Sequence, residues 1–128
     1  MTAGDWLRSM QARVRARDYA GARELFAADV TGFGTVAGAA AGLDELERLQ
    51  WRRVWPRTRD FAFDLDGART FERDGLVGVA ARWTSTGLAD DGTTFPRSGR
   101  ATLLLDRRGD RLVAVHSHFS TAPAPPMG

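Results

Sequence analysis

The chain has 128 residues, 43% of them hydrophobic, with 18 basic against 16 acidic side chains and no cysteine; one domain with a pocketed core fits this length, and disulfides, thiolate chemistry and sulfur-ligated zinc are excluded. The isoelectric point of about 10.3 reports missing lysine rather than surplus charge: net charge is +2, and residues 1–64 and 65–128 hold 10 Arg against 9 acids and 8 against 7, so no nucleic-acid partner is expected. No apolar run approaches the roughly 20 residues of a membrane span, and the opening MTAGDWLRSM lacks a signal-peptide core, so a cytoplasmic domain without membrane contact is expected.

Residues 5–17 place Trp6, Met10 and Val14 at helical spacing, with Leu7 beside them and arginines outside. Asp18 is a candidate cap for a second short helix whose stripe is Ala22, Leu25 and Phe26. Residues 29–36 read as a strand loosened by two glycines, and 38–42 as a small-residue loop. A third helix is predicted over 43–55, stopped by Pro56. Leu43, Leu46, Gln50 and Val54 share its inner arc, with Glu47 at the edge. From residue 58 the period becomes two. Segments 59–65, 68–73, 76–88, 94–106 and 111–120 are separated by turns at Asp66-Gly67, Asp74-Gly75, Asp91-Gly92 and Gly109-Asp110, the pattern of an antiparallel meander. Helices followed by strands give an α+β domain with helices on one face, over residues 1–120. The remainder, 121–128, is a proline-rich tail expected to be disordered.

The ending RATLLLDRRGDRLVAVHSHFS, residues 100–120, resembles the last hairpin of SnoaL-like domains in the nuclear transport factor 2-like superfamily. VHSHFS is similar to the close of the calcium/calmodulin-dependent protein kinase II association domain. FAADVTGFGTVAG and the helix opening at Gly42 fit the same template, and the resemblance spans residues 5–120. It implies a strongly curved antiparallel sheet, a cone-shaped half-barrel, with the N-terminal helices closing one face over a pocket. The superfamily holds isomerases, cyclases, dehydratases and non-catalytic assembly domains, so the activity is left open. Phe119 stands where the association domain has an arginine, and Arg111 and Leu112 occupy the stretch that commonly carries a tryptophan. Arg82, in VAARWTST, matches one pocket arginine of that domain. The acid and base of ketosteroid isomerase have no counterpart that can be placed.

Arg82 shares a strand face with Gly78, Ala80 and Thr84, which suits either a pocket wall holding a carboxylate or a solvent-facing guanidinium. His116 and His118 point to one side of the last strand, as a general base or as a structural pair. Without a third ligand they do not make a metal site, and neither metal nor cofactor is expected. Glu47 and Gln50 could meet a ligand from the helix side, and a buried Glu47 would have a raised pKa suited to proton transfer. Alternatively, Glu47 simply pairs with an arginine. Tyr19, Trp51, Trp55 and Phe119, with Phe26 and Phe33, are candidate apolar walls.

Two functions follow. One is a domain that binds a small polar or anionic ligand, with Arg82, Gln50 and the aromatics as contacts. The other is a cofactor-independent isomerase, cyclase or dehydratase using Glu47 and His118. Residues 94–106 carry leucine on both strand faces, Leu103 and Leu105 against Leu104, which predicts a homodimer through the outer face of the sheet; the resemblance to the association domain also implies a larger ring as an alternative.

Overall fold

Helix α1 (Ala3–Ala16) begins in a capping box: the Asp5 N–H donates to Thr2 Oγ1 at 3.0 Å, and the Thr2 N–H donates to Asp5 Oδ2 at 2.9 Å. Its buried stripe is Trp6, Leu7, Met10 and Val14. Asp18 caps α2 (Tyr19–Arg23), accepting from the Gly21 N–H at 2.9 Å. The computed structural model describes residues 1–123. The expectation of a disordered tail therefore lies largely outside the described residues, although the last strand runs to Thr121 and the Ala122 N–H donates to the Ser98 carbonyl at 2.8 Å.

The strands are β1 (Phe26–Phe33), β2 (Ala40–Ala41), β3 (Thr58–Phe63), β4 (Arg69–Arg73), β5 (Leu76–Leu88), β6 (Thr94–Arg108) and β7 (Arg111–Thr121). Strand β1 lies three residues earlier than its glycines suggest. Leu25 and Phe26 leave helix α2 because the Leu25 carbonyl accepts from the Ala114 N–H at 2.8 Å and from Trp6 Nε1 at 3.0 Å. Tertiary hydrogen bonds override a weak helical stripe there.

The seven strands form one open sheet in the order β2-β1-β7-β6-β5-β3, with β4 also on β5. Residues from 58 onward make the expected antiparallel meander. Strand β1 pairs parallel with β7, so the whole sheet is mixed. The reason is topological: the chain crosses helically from β1 to β3 at the far edge, and the meander then brings β7 back beside β1. The 13 residues of β5 seat two short strands end to end, β4 along Leu76–Ala80 and β3 along Trp83–Gly87.

Helix α1 covers the β3 edge. Arg15 Nε donates to the Phe61 carbonyl at 2.7 Å, and the Phe63 N–H donates to Gln11 Oε1 at 2.9 Å. These contacts satisfy backbone groups around a bulge where Asp60 has φ +55. The remaining helical chain runs through α3 (Leu43–Leu46), a π-helical turn (Glu47–Trp51), α4 (Arg52–Val54) and a 3₁₀ turn (Trp55–Arg57). It packs on the same side of the sheet as α1. Trp6, Leu7, Val30, Val79, Leu103, Leu105 and Leu112 are fully buried between the layers. No helix among the described residues is long and apolar enough to cross a membrane.

One glycine is fixed by close approach. Gly99 pairs with Trp83 across β5 and β6, and a Cβ there would collide with the Trp83 indole and the Ser120 carbonyl. Gly99→Ala is expected to lose about 1–3 kcal/mol in chemical denaturation. Gly38→Ala, whose Cβ would meet nothing within 4 Å, should stay within about 0.5 kcal/mol of the parent.

Candidate functional site

The concave face of the sheet and the helices line a partly open cavity of about 60 Å³. Helix α1 contributes Met10 and Val14, and the 43–57 segment contributes Leu46, Gln50, Trp51, Val54 and Trp55. From the sheet come Phe61, Trp83, Ser85, Arg97, Ser117 and Phe119. The aromatic rings support one another. Trp51 and Trp55 stack at 4.9 Å between centroids, and Tyr19 stacks on Trp55 at 5.1 Å. Phe61 lies 6.0 Å from Trp83.

Gln50 holds the mouth. Its Oε1 accepts from the Val36 and Ala37 N–H groups at 3.0 and 2.8 Å, and its Nε2 donates to Thr35 Oγ1 at 2.9 Å. Both ends of the amide are engaged, which makes Gln50 a clamp on the loop after β1. The π-helical turn that carries it is a local departure from α geometry of a kind often found at binding sites.

Two polar groups on the sheet wall stand apart. Ser85 is 8% exposed, and its Oγ has no hydrogen-bond partner. Directly across the β5–β6 ladder is Arg97, whose guanidinium carbon sits 5.7 Å from the Trp83 ring centroid. Burial alone pulls the Arg97 pKa down, yet an arginine keeps its charge in proteins. Among the described residues, no carboxylate forms an ion pair with it. Its aliphatic stem packs over Gly87, where a Cβ would crowd both Arg97 and Phe95.

Of the residues singled out from the sequence, Gln50, Trp51, Trp55 and Phe119 line this cavity. Tyr19 lies one layer behind, sandwiched between Trp55 and Arg52, whose guanidinium carbon is 4.3 Å above its ring. Phe26 backs Trp51, and Phe33 sits at the rim.

Arg82, Glu47 and His118 lie elsewhere. Arg82 is on the exposed face of β5, in phase with Ala80 and Thr84, while Val79, Ala81, Trp83 and Ser85 face inward. His118 is exposed on the outer face of β7, and Ser117 and Phe119 take the inner one. A bulge decides this: Leu104 pairs with His116 and Leu105 with Ala114, leaving Val115 unpaired. The extra residue reverses the alternation set by the buried Leu112 and Ala114. The two imidazoles pack edge-on to Phe33 at 5.0 and 5.5 Å, and His116 Nδ1 shares a hydrogen bond with Thr31 Oγ1 at 2.9 Å.

Glu47 turns toward α2. Arg23 donates to its Oε1 at 3.0 Å and Arg52 to its Oε2 at 2.7 Å. Burial pushes the carboxyl up, but the hydrogen bonds from Arg52 and Arg23, with their charges, outweigh it and hold the pKa below the ordinary value. The raised pKa expected of a proton donor is therefore reversed. Arg97 and Ser85 escaped attention although a period-two signal marks them. Counting back from Leu105, Leu103 and Ala101 puts Arg97 on the apolar face, and counting on from Trp83 does the same for Ser85.

A carboxyl held below its ordinary value contributes fully to stability above that value, 4.5, and loses the contribution as pH falls through the folded one. Glu47→Gln should therefore cost about 1.5–3 kcal/mol at neutral pH and progressively less below pH 4.5. Denaturation curves collected across that range check this. A cost independent of pH would show that the charge of Glu47 plays no part.

The arrangement has many relatives of known structure. A nuclear transport factor 2-like superfamily protein from Salmonella enterica serovar Typhimurium superposes with a TM-score of 0.80 at 15% identity, covering 98% of this chain and 92% of that one. A ketosteroid isomerase-like protein from Erwinia carotovora atroseptica gives 0.76 at 16% identity, over 94% and 93%. A Xanthomonas campestris protein named for the calcium/calmodulin-dependent protein kinase II association domain gives 0.76 at 17% identity, over 91% and 82%. At these identities the likeness establishes the fold alone. No curated protein sequence matches the chain. The family model for the SnoaL-like domain matches residues 5–125. With the helices, mixed sheet and partly open cavity described above, this chain belongs to the SnoaL-like domain family.

Proposed function

We propose that this chain is a binding domain that takes a small, flat, largely apolar molecule into the cavity and associates with a second copy through the outer face of its sheet. The observation that carries the ligand reading is the composition of the cavity wall. Three tryptophans, Trp51, Trp55 and Trp83, with Phe61 and Phe119, surround one charged side chain, Arg97. Planar aromatic walls with few polar groups suit a ring-bearing ligand. The alternative, an isomerase, cyclase or dehydratase, needs a group that moves protons beside the ligand. Among the described residues lining the cavity there is no Asp, Glu or His, and Glu47 is held as an anion by two arginines outside it. These facts favour binding over acid–base turnover.

Association is supported by a row across the outer face. Phe71, Gly78, Leu104 and His116 lie side by side on β4, β5, β6 and β7. Phe71 is 67% exposed, and Leu76 and Leu104 are also exposed. A contiguous apolar strip of this kind is what a twofold interface covers.

Benzamide, a neutral single-ring probe, should bind saturably with a change in tryptophan fluorescence. Filling the cavity with Val54→Phe should weaken it at least about tenfold, whereas Arg82→Ala and His118→Ala should leave it unchanged. Binding indifferent to Val54→Phe would place the ligand elsewhere. For association, light scattering at micromolar concentration should give a dimeric mass that Leu104→Arg converts to monomer. A monomeric parent that stays monomeric on concentrating would overturn that half of the reading.

A further inference from the structure

We infer that Arg97 and Ser85 form the polar end of the cavity and select a single-ring aromatic carboxylate as its ligand. This rests on the ligand-binding reading above and adds the chemical class. Two independent observations meet at one spot. The Ser85 hydroxyl is buried on the cavity wall with no hydrogen-bond partner, and leaving such a group unpaired is costly. Arg97 faces it as its direct partner across the ladder, where side chains on one sheet face start about 5 Å apart. Several arginines of the helical segments are matched by carboxylates: Arg23 by Asp44 and Glu47, Arg52 by Glu47, Arg13 by Asp18. Arg97, alone at the cavity, has no such anion among the described residues.

The donor set fits a carboxylate. A guanidinium offers parallel N–H groups that two carboxylate oxygens can accept, and Ser85 Oγ–H can donate to one of them. Desolvated surroundings strengthen such charge-assisted bonds. The ring would lie among the tryptophans, on the side of the cavity away from the outer face. Gln50 does not compete, because its amide is committed to the loop 35–37.

Benzoate and benzamide have nearly the same shape and differ in charge, so their comparison isolates the polar end. The parent chain should bind benzoate at least about tenfold more tightly than benzamide by calorimetry. Arg97→Gln should abolish that preference while still binding benzamide, which reports an intact cavity. Ser85→Ala should reduce the preference several-fold. Equal binding of the two probes by the parent would overturn the carboxylate assignment and leave the cavity reading standing. Binding of neither would overturn both. A preference that survives Arg97→Gln would place the recognising cation elsewhere. Should Arg97→Gln lose benzamide as well, Ser85→Ala decides: an unchanged preference in that variant overturns the assignment.

Discussion

Strands β5 and β6 stay paired without interruption from Leu76↔Asp106 to Leu88↔Thr94, and the cavity depends on that register. The turn between them is tied at its tip. Gly92 has φ +87, Asp91 Oδ1 accepts from the Thr93 N–H and hydroxyl at 3.0 and 2.6 Å, and the Ala89 N–H donates to the Thr93 carbonyl at 2.8 Å. With the register set, Trp83 falls opposite Gly99 and Ser85 opposite Arg97. A slip of one residue in β5 would turn Trp83 and Ser85 to solvent and put Arg82 inside, apart from Arg97. The large indole fits only because its cross-strand neighbour has no side chain.

The charged groups divide into two sets by what they do. Arg23, Glu47, Asp44 and Arg52 form a connected array that ties α2 to the 43–57 segment, and Arg52 also covers Tyr19. Glu47 is well enclosed and paired at both oxygens, so its charge serves structure. Arg97 belongs to the other set. It is partly buried beside an indole with no carboxylate partner among the described residues, an unmatched cation on the cavity wall of an otherwise balanced chain. In a low-dielectric wall, one unmatched cation is screened less than several surface charges.

Several features were legible because they are local. The capping box, the Asp18 cap, the stripe of α1 and the Asp-Gly turns each arise from residues within a few positions of one another. Period two assigned each residue of β5 to one of two faces. It separated Arg82 from the row of Val77, Val79, Ala81 and Trp83 but left open which row lined the pocket, and the structure turns the Arg82 row to solvent. The aromatic candidates of the third helix reach the cavity because the helical spacing survives the π-helical turn closely enough to keep Gln50, Trp51 and Trp55 inward.

The sequence by itself determined the α+β order, the meander, the turns and the balance of apolar faces, since each depends on neighbours in the chain and on backbone periods. Only the tertiary structure decided the parallel contact of β1 with β7, the bulge at Val115 that turns His116 and His118 outward, and the pairing of Glu47 with two arginines. The strand contacts and the Arg23–Glu47 pair join segments distant in sequence, and even Arg52, five residues from Glu47, reaches it only as the folded turn places it. A bulge adds one unpaired residue without any required residue type, and a carboxylate's state depends on which cations fold up beside it. Periodicity along one strand carries no information about either.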